Sequence, residues 1–226
     1  MTMSLAAIRR YPVKSMGGEA LSQAVVEGRG LAGDRWFAVV DADGKLASGK
    51  DTRRFRRRDA IFDYTARTDG DQVLVSRHGT QWPVGDAELD ADLSRAMGAA
   101  VRVLPEGAVD HFDEGPVSLI GTATLAWSAE RGIEADPRRL RANLVVETDE
   151  PFVEESWVGG EVRVGGVILR IVDRLPRCRM IDLDQDGASA SGGWLKLLGA
   201  ERDTCAAVYA DVVRPGLLAV GDRLAL

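Results

Sequence analysis

Near the end of the chain, one cysteine lies among three arginines. Cys178 is preceded by Arg174 and Arg177 and is followed by Arg179. Cations near a thiol favour its thiolate form, and the thiolate is the form that binds soft metal ions. The alternative interpretation is a small buried residue in a strand whose arginines face water. Cys205, the other cysteine, begins an apolar run and is expected to lie in the core.

Further basic groups are spread along a chain that is acidic as a whole. Two arginine-rich islands lie at 53–58 and 138–141, and Lys14 and Ser15 could add a point charge and a hydroxyl group. Charge runs of this kind are commonly solvated surfaces. The alternative is a site for a phosphorylated ligand, because guanidinium groups match the geometry of phosphate. Asn143 would share a face with the arginine two positions before it if that segment is a strand.

Two glycine patterns resemble nucleotide-binding loops, but the residues that follow them do not fit. Residues 28–33 match the spacing G-x-G-x-x-G. That motif needs a helix N-terminus directly after the glycines, whereas 34–40 is typical of a strand. Residues 44–50 resemble a P-loop, yet Asp51 stands where Ser or Thr should hold magnesium. We interpret both patterns as turns next to strands.

Short runs rich in Val, Ile and aromatic residues, separated by Asp-Gly and His-Gly turns, predict that strands dominate the fold. Strands are predicted at 21–27, 36–41, 60–66, 72–77, 143–147, 162–164, 167–173, 206–213 and 217–226. Helices are predicted near 86–97, where Leu89, Leu93 and Met97 form one apolar stripe, near 121–131, and at 194–198. The expected fold class is therefore mostly β, an α+β barrel-like fold with a few short helices. The stretch 113–116 is the predicted seam between two halves.

The composition argues against several classes of protein. The 226 residues, 45% of them hydrophobic, can bury a large core in one or two domains. A net charge of −6 argues against general electrostatic binding of nucleic acid or of an acidic membrane. No apolar run reaches the roughly 18 residues of a membrane span, and the N-terminus has no signal-peptide pattern. Two cysteines and two histidines argue against a disulfide framework or a protein-only zinc or iron–sulfur site, so a cytoplasmic location is expected.

Several short motifs, taken in order, resemble those of the MOSC family. They are Tyr-Pro-Val-Lys-Ser at 11–15, Gly-Leu at 30–31, Asp-Arg-Trp-Phe at 34–37, Arg-Ala-Asn at 141–143, Glu-Ser-Trp at 155–157, Arg-Cys-Arg-Met at 177–180 and Val-Gly-Asp at 220–222. The first three are similar to the N-terminal β-barrel domain of that family, and the others to the MOSC domain itself. The resemblance implies an N-terminal β-barrel domain at 1–105 packed on a MOSC β-barrel at 106–226, and it is strongest to the amidoxime-reducing members.

The resemblance also implies a molybdenum cofactor, a Mo-pyranopterin. Cys178 is at the position of the family cysteine that binds molybdenum, which makes it the implied metal ligand and catalytic residue. The family positions that hold the pyranopterin and its phosphate correspond to Lys14, Ser15, Arg35, Arg141, Asn143 and Arg177. Gly121 and Thr122 match a family segment near the cofactor, where a helix N-terminus would face the phosphate.

The activity implied by the resemblance is the reduction of N-hydroxylated compounds such as amidoximes, hydroxylamines or N-hydroxylated bases. An iron–sulfur domain of the kind found in bacterial relatives needs four cysteines, and this sequence has two. A separate electron-transfer protein of ferredoxin, flavodoxin or cytochrome type is therefore expected as a partner. Two alternatives stay open: a carrier of sulfur or of molybdenum cofactor that uses Cys178 without turnover, and a binding module for another phosphate ligand.

Overall fold

Strands make up most of the regular structure in the computed structural model, which describes residues 3–189 and 192–226. The mostly β architecture predicted from the sequence is confirmed, and its helices are few and short. The strands are β1 (Leu5–Arg10), β2 (Glu19–Leu21), β3 (Gln23–Glu27), β4 (Gly30–Leu31), β5 (Phe37–Asp41), β6 (Leu46–Ser48), β7 (Phe55–Arg57), β8 (Thr65–Asp69), β9 (Gln72–Arg77), β10 (Thr80–Pro83), β11 (Val101–Pro105), β12 (Val117–Gly121), β13 (Leu144–Val146), β14 (Glu161–Val164), β15 (Val167–Pro176), β16 (Cys205–Arg214), β17 (Gly216–Ala219) and β18 (Leu224–Ala225). The α-helices are α1 (Ala87–Met97), α2 (Thr122–Ala129), α3 (Pro137–Leu140) and α4 (Trp194–Glu201), and short 3₁₀ helices cover Asp59–Asp63, Val153–Trp157 and Arg179–Asp182.

The largest sheet has eight strands in the order β18-β14-β15-β16-β12-β13-β1-β2. Its neighbouring strands are antiparallel except for β12 and β13, which are parallel. Alternate residues of β14 and β15, such as Val162, Val164, Leu169 and Ile171, are fully buried and face the main core. This period of two is the pattern of a strand with one face against the core.

Two smaller sheets and helix α1 enclose a second core in the first half of the chain. The sheets have the orders β11-β5-β6-β7 and β10-β9-β8. Asp86 caps α1 by accepting from the Glu88 amide at 2.8 Å, and Gly98 ends the helix with a φ of 64°. Leu89, Leu93 and Met97 are buried, as the predicted apolar stripe requires.

Strand pairing crosses the middle of the chain in two places. β1 pairs with β13 in the eight-stranded sheet, and β3 pairs with β17 in a third small sheet, β17-β3-β4. The first 30 residues are therefore bonded to the second half as well as to the first. The limits of the two domains at 105 and 106 stay a prediction from the sequence.

Three predicted elements differ from those observed. The predicted strand 60–66 contains a 3₁₀ helix at Asp59–Asp63, where the adjacent residues Ile61 and Phe62 are both buried, which a half-buried strand does not allow. The predicted strand 217–226 is divided into β17 and β18 by a turn, and the predicted strand 21–27 into β2 and β3. The sequence prediction did not include helix α3 or the strands β1, β4, β7, β10, β11 and β12.

The two glycine patterns are turns, as interpreted. Residues 28–33 form β4 and the turn that leads into β5, and 44–50 form a hairpin turn and β6. Within 3–189 and 192–226, the helices are too short or too polar for any of them to cross a membrane.

Candidate functional site

A cavity of about 240 Å³ opens where segments from both halves of the chain meet. Its volume is close to the lower limit of roughly 300 Å³ that is usual for ligand pockets. Seven of the predicted site residues line it: Lys14, Ser15, Arg35, Arg141, Asn143, Arg177 and Cys178. Residues that are up to 164 positions apart (14 to 178) in the sequence thus converge on one cavity.

Lys14 and Ser15 reach the cavity because the chain bends sharply after β1. The Lys14 amide donates to the Phe37 carbonyl at 2.7 Å, and Ser15 has a φ of 69°. The Ser15 hydroxyl donates to the Ala47 carbonyl at 3.1 Å, which fixes the bend. Burial, only partly offset by the nearby Asp113 carboxylate, lowers the pKa of Lys14 from 10.5 to about 8.

Asp113 joins two ammonium groups on the cavity wall. Its carboxylate lies 2.8 Å from Lys14 Nζ and 3.1 Å from Lys50 Nζ. Burial alone would raise the pKa of Asp113, but the two ammonium groups outweigh it and hold that pKa well below the usual range. The segment around Asp113 has no regular structure, and Arg54 donates to its carbonyl groups at Asp110 and Phe112.

Arg141 is placed in the cavity by the end of α3 and by an aromatic ring. Its φ of 51° ends the helix, and its guanidinium carbon lies 4.2 Å from the centre of the Tyr11 ring. Both terminal nitrogens are shielded from solvent and have no hydrogen-bond partner among the described residues. Burial lowers the pKa of Arg141.

Arg177 is the second cavity arginine without a carboxylate partner in the described part of the chain. Its Nε donates to the Ala206 carbonyl at 2.9 Å and its Nη1 to the Leu140 carbonyl at 2.7 Å. Its Nη2 is shielded from solvent and unpaired. Burial lowers the pKa of Arg177 to about 10.

Arg35 and Asn143 support the site through bonds within the chain. Arg35 forms an ion pair with Asp34, and it donates to Asn143 Oδ1 at 3.3 Å and to the Arg141 carbonyl at 3.1 Å. Asn143 is buried, and its Oδ1 also accepts from the Ser118 amide at 3.1 Å. Arg141 lies at the end of a helix and not in a strand. Arg141 and Asn143 therefore both line the cavity, but not through the shared strand face that was predicted.

Cys178 lies just after β15, at the start of the 3₁₀ helix Arg179–Asp182, and its side chain is half-buried on the cavity wall. Of the three arginines that lie near this thiol in the sequence, Arg177 lines the cavity, whereas Arg174 and Arg179 do not. Arg174 turns away to pair with Glu155 at 2.9 Å. Arg179 pairs with Asp59 at 2.9 Å and donates to the Gly49 carbonyl at 2.9 Å.

Gly121 and Thr122 do not line the cavity. A Cβ atom on Gly121 would lie 2.5 Å from Thr148 Oγ1 and 2.8 Å from Glu154 Oε2. One amide in the first turn of α2, that of Ala123, already donates within the chain, to Thr148 Oγ1 at 3.1 Å. The structure therefore does not bring this helix N-terminus to the cavity on which the other predicted site residues converge.

Lys50, Asp113 and Tyr209 line the cavity but were not among the predicted site residues. Two features of the sequence could have indicated the first two of these residues. Lys50 belongs to the rejected P-loop pattern, and Asp113 begins the predicted seam. Burial and the Asp113 charge raise the pKa of Tyr209 to about 12. Cys205, expected in the core, is half-buried, and burial raises the pKa of its thiol.

The charges on the wall favour an anionic ligand. Among the described residues, six basic and two acidic side chains line the cavity. Asp34 and Glu134 compensate Arg35 and Arg139, and Asp113 lies between the lysines. Arg141 and Arg177 remain uncompensated in the part of the chain that is described. Buried charges are costly without a counter-ion, and paired N–H donors on guanidinium groups suit phosphate oxygens.

Two family profiles together match nearly the whole chain. The MOSC N-terminal beta barrel domain matches residues 2–104 and the MOSC domain matches residues 106–225. Molybdenum cofactor sulfurase 2 of Aedes aegypti is 27% identical over 219 residues, which cover 87% of this chain and 28% of that protein. Molybdenum cofactor sulfurase of Caenorhabditis elegans is 22% identical over 201 residues, which cover 77% of this chain and 28% of that protein.

The chain therefore spans about 28% of the length of these curated relatives. Among solved structures, the YuaD protein from Bacillus subtilis superposes with a TM-score of 0.51 at 13% identity, covering 99% of this chain and 94% of that one. This likeness shows a shared fold. On the match of both domains, the chain belongs to the MOSC domain family and is related to molybdenum cofactor sulfurases.

Proposed function

We propose that the cavity holds a molybdenum cofactor, with the Cys178 thiolate as the protein ligand to molybdenum, and that the chain reduces N-hydroxylated compounds. The observation that carries this proposal is the presence of one accessible thiol and two uncompensated guanidinium groups on one cavity wall. A soft thiolate suits molybdenum, and the two arginines suit the phosphate of a pyranopterin.

Some residues of the cavity would bind the ligand directly, and others hold those residues in place. Arg141 offers two unpaired terminal nitrogens and Arg177 offers one, so the N–H groups on these three nitrogens would donate to the phosphate oxygens. Arg35 and Asn143 hold the backbone and side chains around them, as their bonds to the Arg141 carbonyl and to Ser118 indicate. Gly121 and Thr122 lie off the wall and have no part in this proposal.

A bound molybdenum cofactor would supply the two-electron chemistry that the side chains lack. Reduction of a hydroxylated nitrogen breaks the N–O bond, consumes two electrons and two protons, and releases water. Lys14 is suited to hold one of these protons at Nζ, because a pKa of about 8 lets it both bind and release a proton near neutral pH.

The electrons are proposed to come from a separate protein of ferredoxin, flavodoxin or cytochrome type, in the cytoplasm. No nucleic-acid or membrane partner is proposed, in keeping with a net charge of −6. The substrate is a small N-hydroxylated molecule.

The test is reduction of benzamidoxime to benzamidine by protein from a molybdate-supplied host, with reduced methyl viologen as electron donor. Wild type and Cys205→Ala should both turn over, and Cys178→Ala should not, while all three keep the same folding transition. A folded, metal-loaded wild type without activity would refute the proposed reaction.

The second candidate is a carrier of sulfur or of the cofactor itself, favoured by the names of the relatives, which are sulfurases. In that case the Cys178 thiolate would attack the outer sulfur of a donor persulfide, forming a new S–S bond while the donor's S–S bond breaks and its thiolate leaves. Cyanide-labile sulfur on wild type, absent from Cys178→Ala and accompanied by no N-reductase activity, would favour the carrier over the reductase.

A further inference from the structure

Tyr11 is a fully buried residue whose ring is shared by three arginines. The guanidinium carbons of Arg141, Arg35 and Arg9 lie 4.2, 5.1 and 5.8 Å from the ring centre. These distances are within the range of a cation–π contact, and the contact is strongest when the cation is removed from water.

The three arginines differ in their other partners. Arg9 forms an ion pair with Asp186 at 2.5 Å, and Arg35 pairs with Asp34. Arg141 has no acceptor for its terminal nitrogens among the residues in 3–189 and 192–226. The Tyr11 ring, whose centre lies 4.2 Å from the guanidinium carbon, is therefore a contact that can fix the direction of the Arg141 guanidinium group.

Tyr11 is itself held rigidly. Its amide donates to Asp34 Oδ1 at 2.8 Å, and its carbonyl accepts from the Arg35 amide at 2.7 Å. The ring lies in a narrow slot, since a Cβ atom on Gly18 would be 2.6 Å from a ring carbon. Arg35 also donates to the Arg141 carbonyl at 3.1 Å, so backbone and ring fix Arg141 from two sides.

We propose that Tyr11 is a positioning residue that directs the Arg141 guanidinium group into the cavity through its ring face, and so sets the affinity for the anionic group of the ligand. This inference rests on the proposed function, because the anion is the one that Arg141 and Arg177 would hold. The hydroxyl group is not required, since no hydrogen bond joins it to Arg141.

The test is the binding of inorganic phosphate to the cofactor-free protein, measured by calorimetry and by the rise in unfolding temperature. Tyr11→Phe keeps the ring and should keep wild-type affinity. Tyr11→Leu should weaken binding about tenfold or more, which is the size expected for the loss of a desolvated cation–π contact. If Tyr11→Leu does not fold, Tyr11→Met fills the slot with an unbranched apolar side chain and serves instead.

A double-mutant cycle separates positioning from general damage to the fold. If Tyr11 acts through Arg141, Tyr11→Leu should have no further effect on phosphate affinity in an Arg141→Met background. Equal phosphate affinity in wild type and Tyr11→Leu would overturn this inference but leave the proposed function intact. Failure of wild type to bind phosphate would refute the anion site and the role of Tyr11 with it.

Discussion

Arg139 and Arg141 are separated by one residue, yet they have opposite surroundings. Arg139 is buried and donates to the Ile181 and Leu183 carbonyls at 3.3 Å and to Glu134 at 3.2 Å. Arg141 has two shielded terminal nitrogens without a partner in the described residues. Replacing each by methionine should therefore shift the free energy of unfolding of the cofactor-free protein in opposite directions.

The size of each change in the free energy of unfolding follows from the hydrogen-bond partners of the two arginines. Each unmet buried donor costs about 1–3 kcal/mol, so Arg141→Met relieves about 2–6 kcal/mol. The same change loses a cation–π contact of about 2 kcal/mol, which leaves a net stabilisation of about 0–4 kcal/mol. Arg139→Met leaves the Ile181 and Leu183 carbonyls unpaired and should destabilise by about 2–4 kcal/mol.

The assay is urea unfolding in phosphate-free buffer, with the midpoint compared at constant slope. Saturating phosphate should raise the stability of wild type and of Arg139→Met, but not that of Arg141→Met, because binding stabilises only a protein that retains the site. A midpoint for Arg141→Met that falls as far as the midpoint for Arg139→Met would refute the idea of an uncompensated cation at this position.

Two further predictions concern pH and the helix that lies off the cavity. Because the folded state lowers the pKa of Lys14 from 10.5 to about 8, the unfolded chain binds more protons between these values, and stability should rise with pH above about 8. Lys14→Met should remove this rise, measured below about pH 9.5, where tyrosines stay neutral. Gly121→Ala should destabilise by about 1–3 kcal/mol through contact with Thr148 and Glu154, with phosphate affinity unchanged in calorimetry. A loss of phosphate affinity in Gly121→Ala would contradict this prediction and would indicate that the segment belongs to the binding site.

Local patterns in the sequence predicted the elements whose signals are themselves local. Helix α1 has a stripe at Leu89, Leu93 and Met97 and a cap at Asp86, so periodicity and capping agree. The stretch around Ile61 and Phe62 has no such period, and its apolar residues fit a helical turn as well as a strand. Tertiary packing decided between them.

The site was predicted through the order of its motifs and not through local spacing. Lys14, Arg35, Arg141 and Cys178 belong to separate motifs, and the resemblance placed them together. The residues that contact these motifs could not be predicted from the resemblance. Asp113 reaches the lysines from a segment without regular structure, and Thr148 occupies the start of α2 from 25 positions away.

The proposed function depends on the binding of molybdenum by Cys178. The most direct measurement is the molybdenum content of purified wild type, Cys178→Ala and the matched control Cys205→Ala, all produced in a molybdate-supplied host. We expect stoichiometric metal in wild type and Cys205→Ala and a near-complete loss in Cys178→Ala. Equal molybdenum in all three proteins would contradict it.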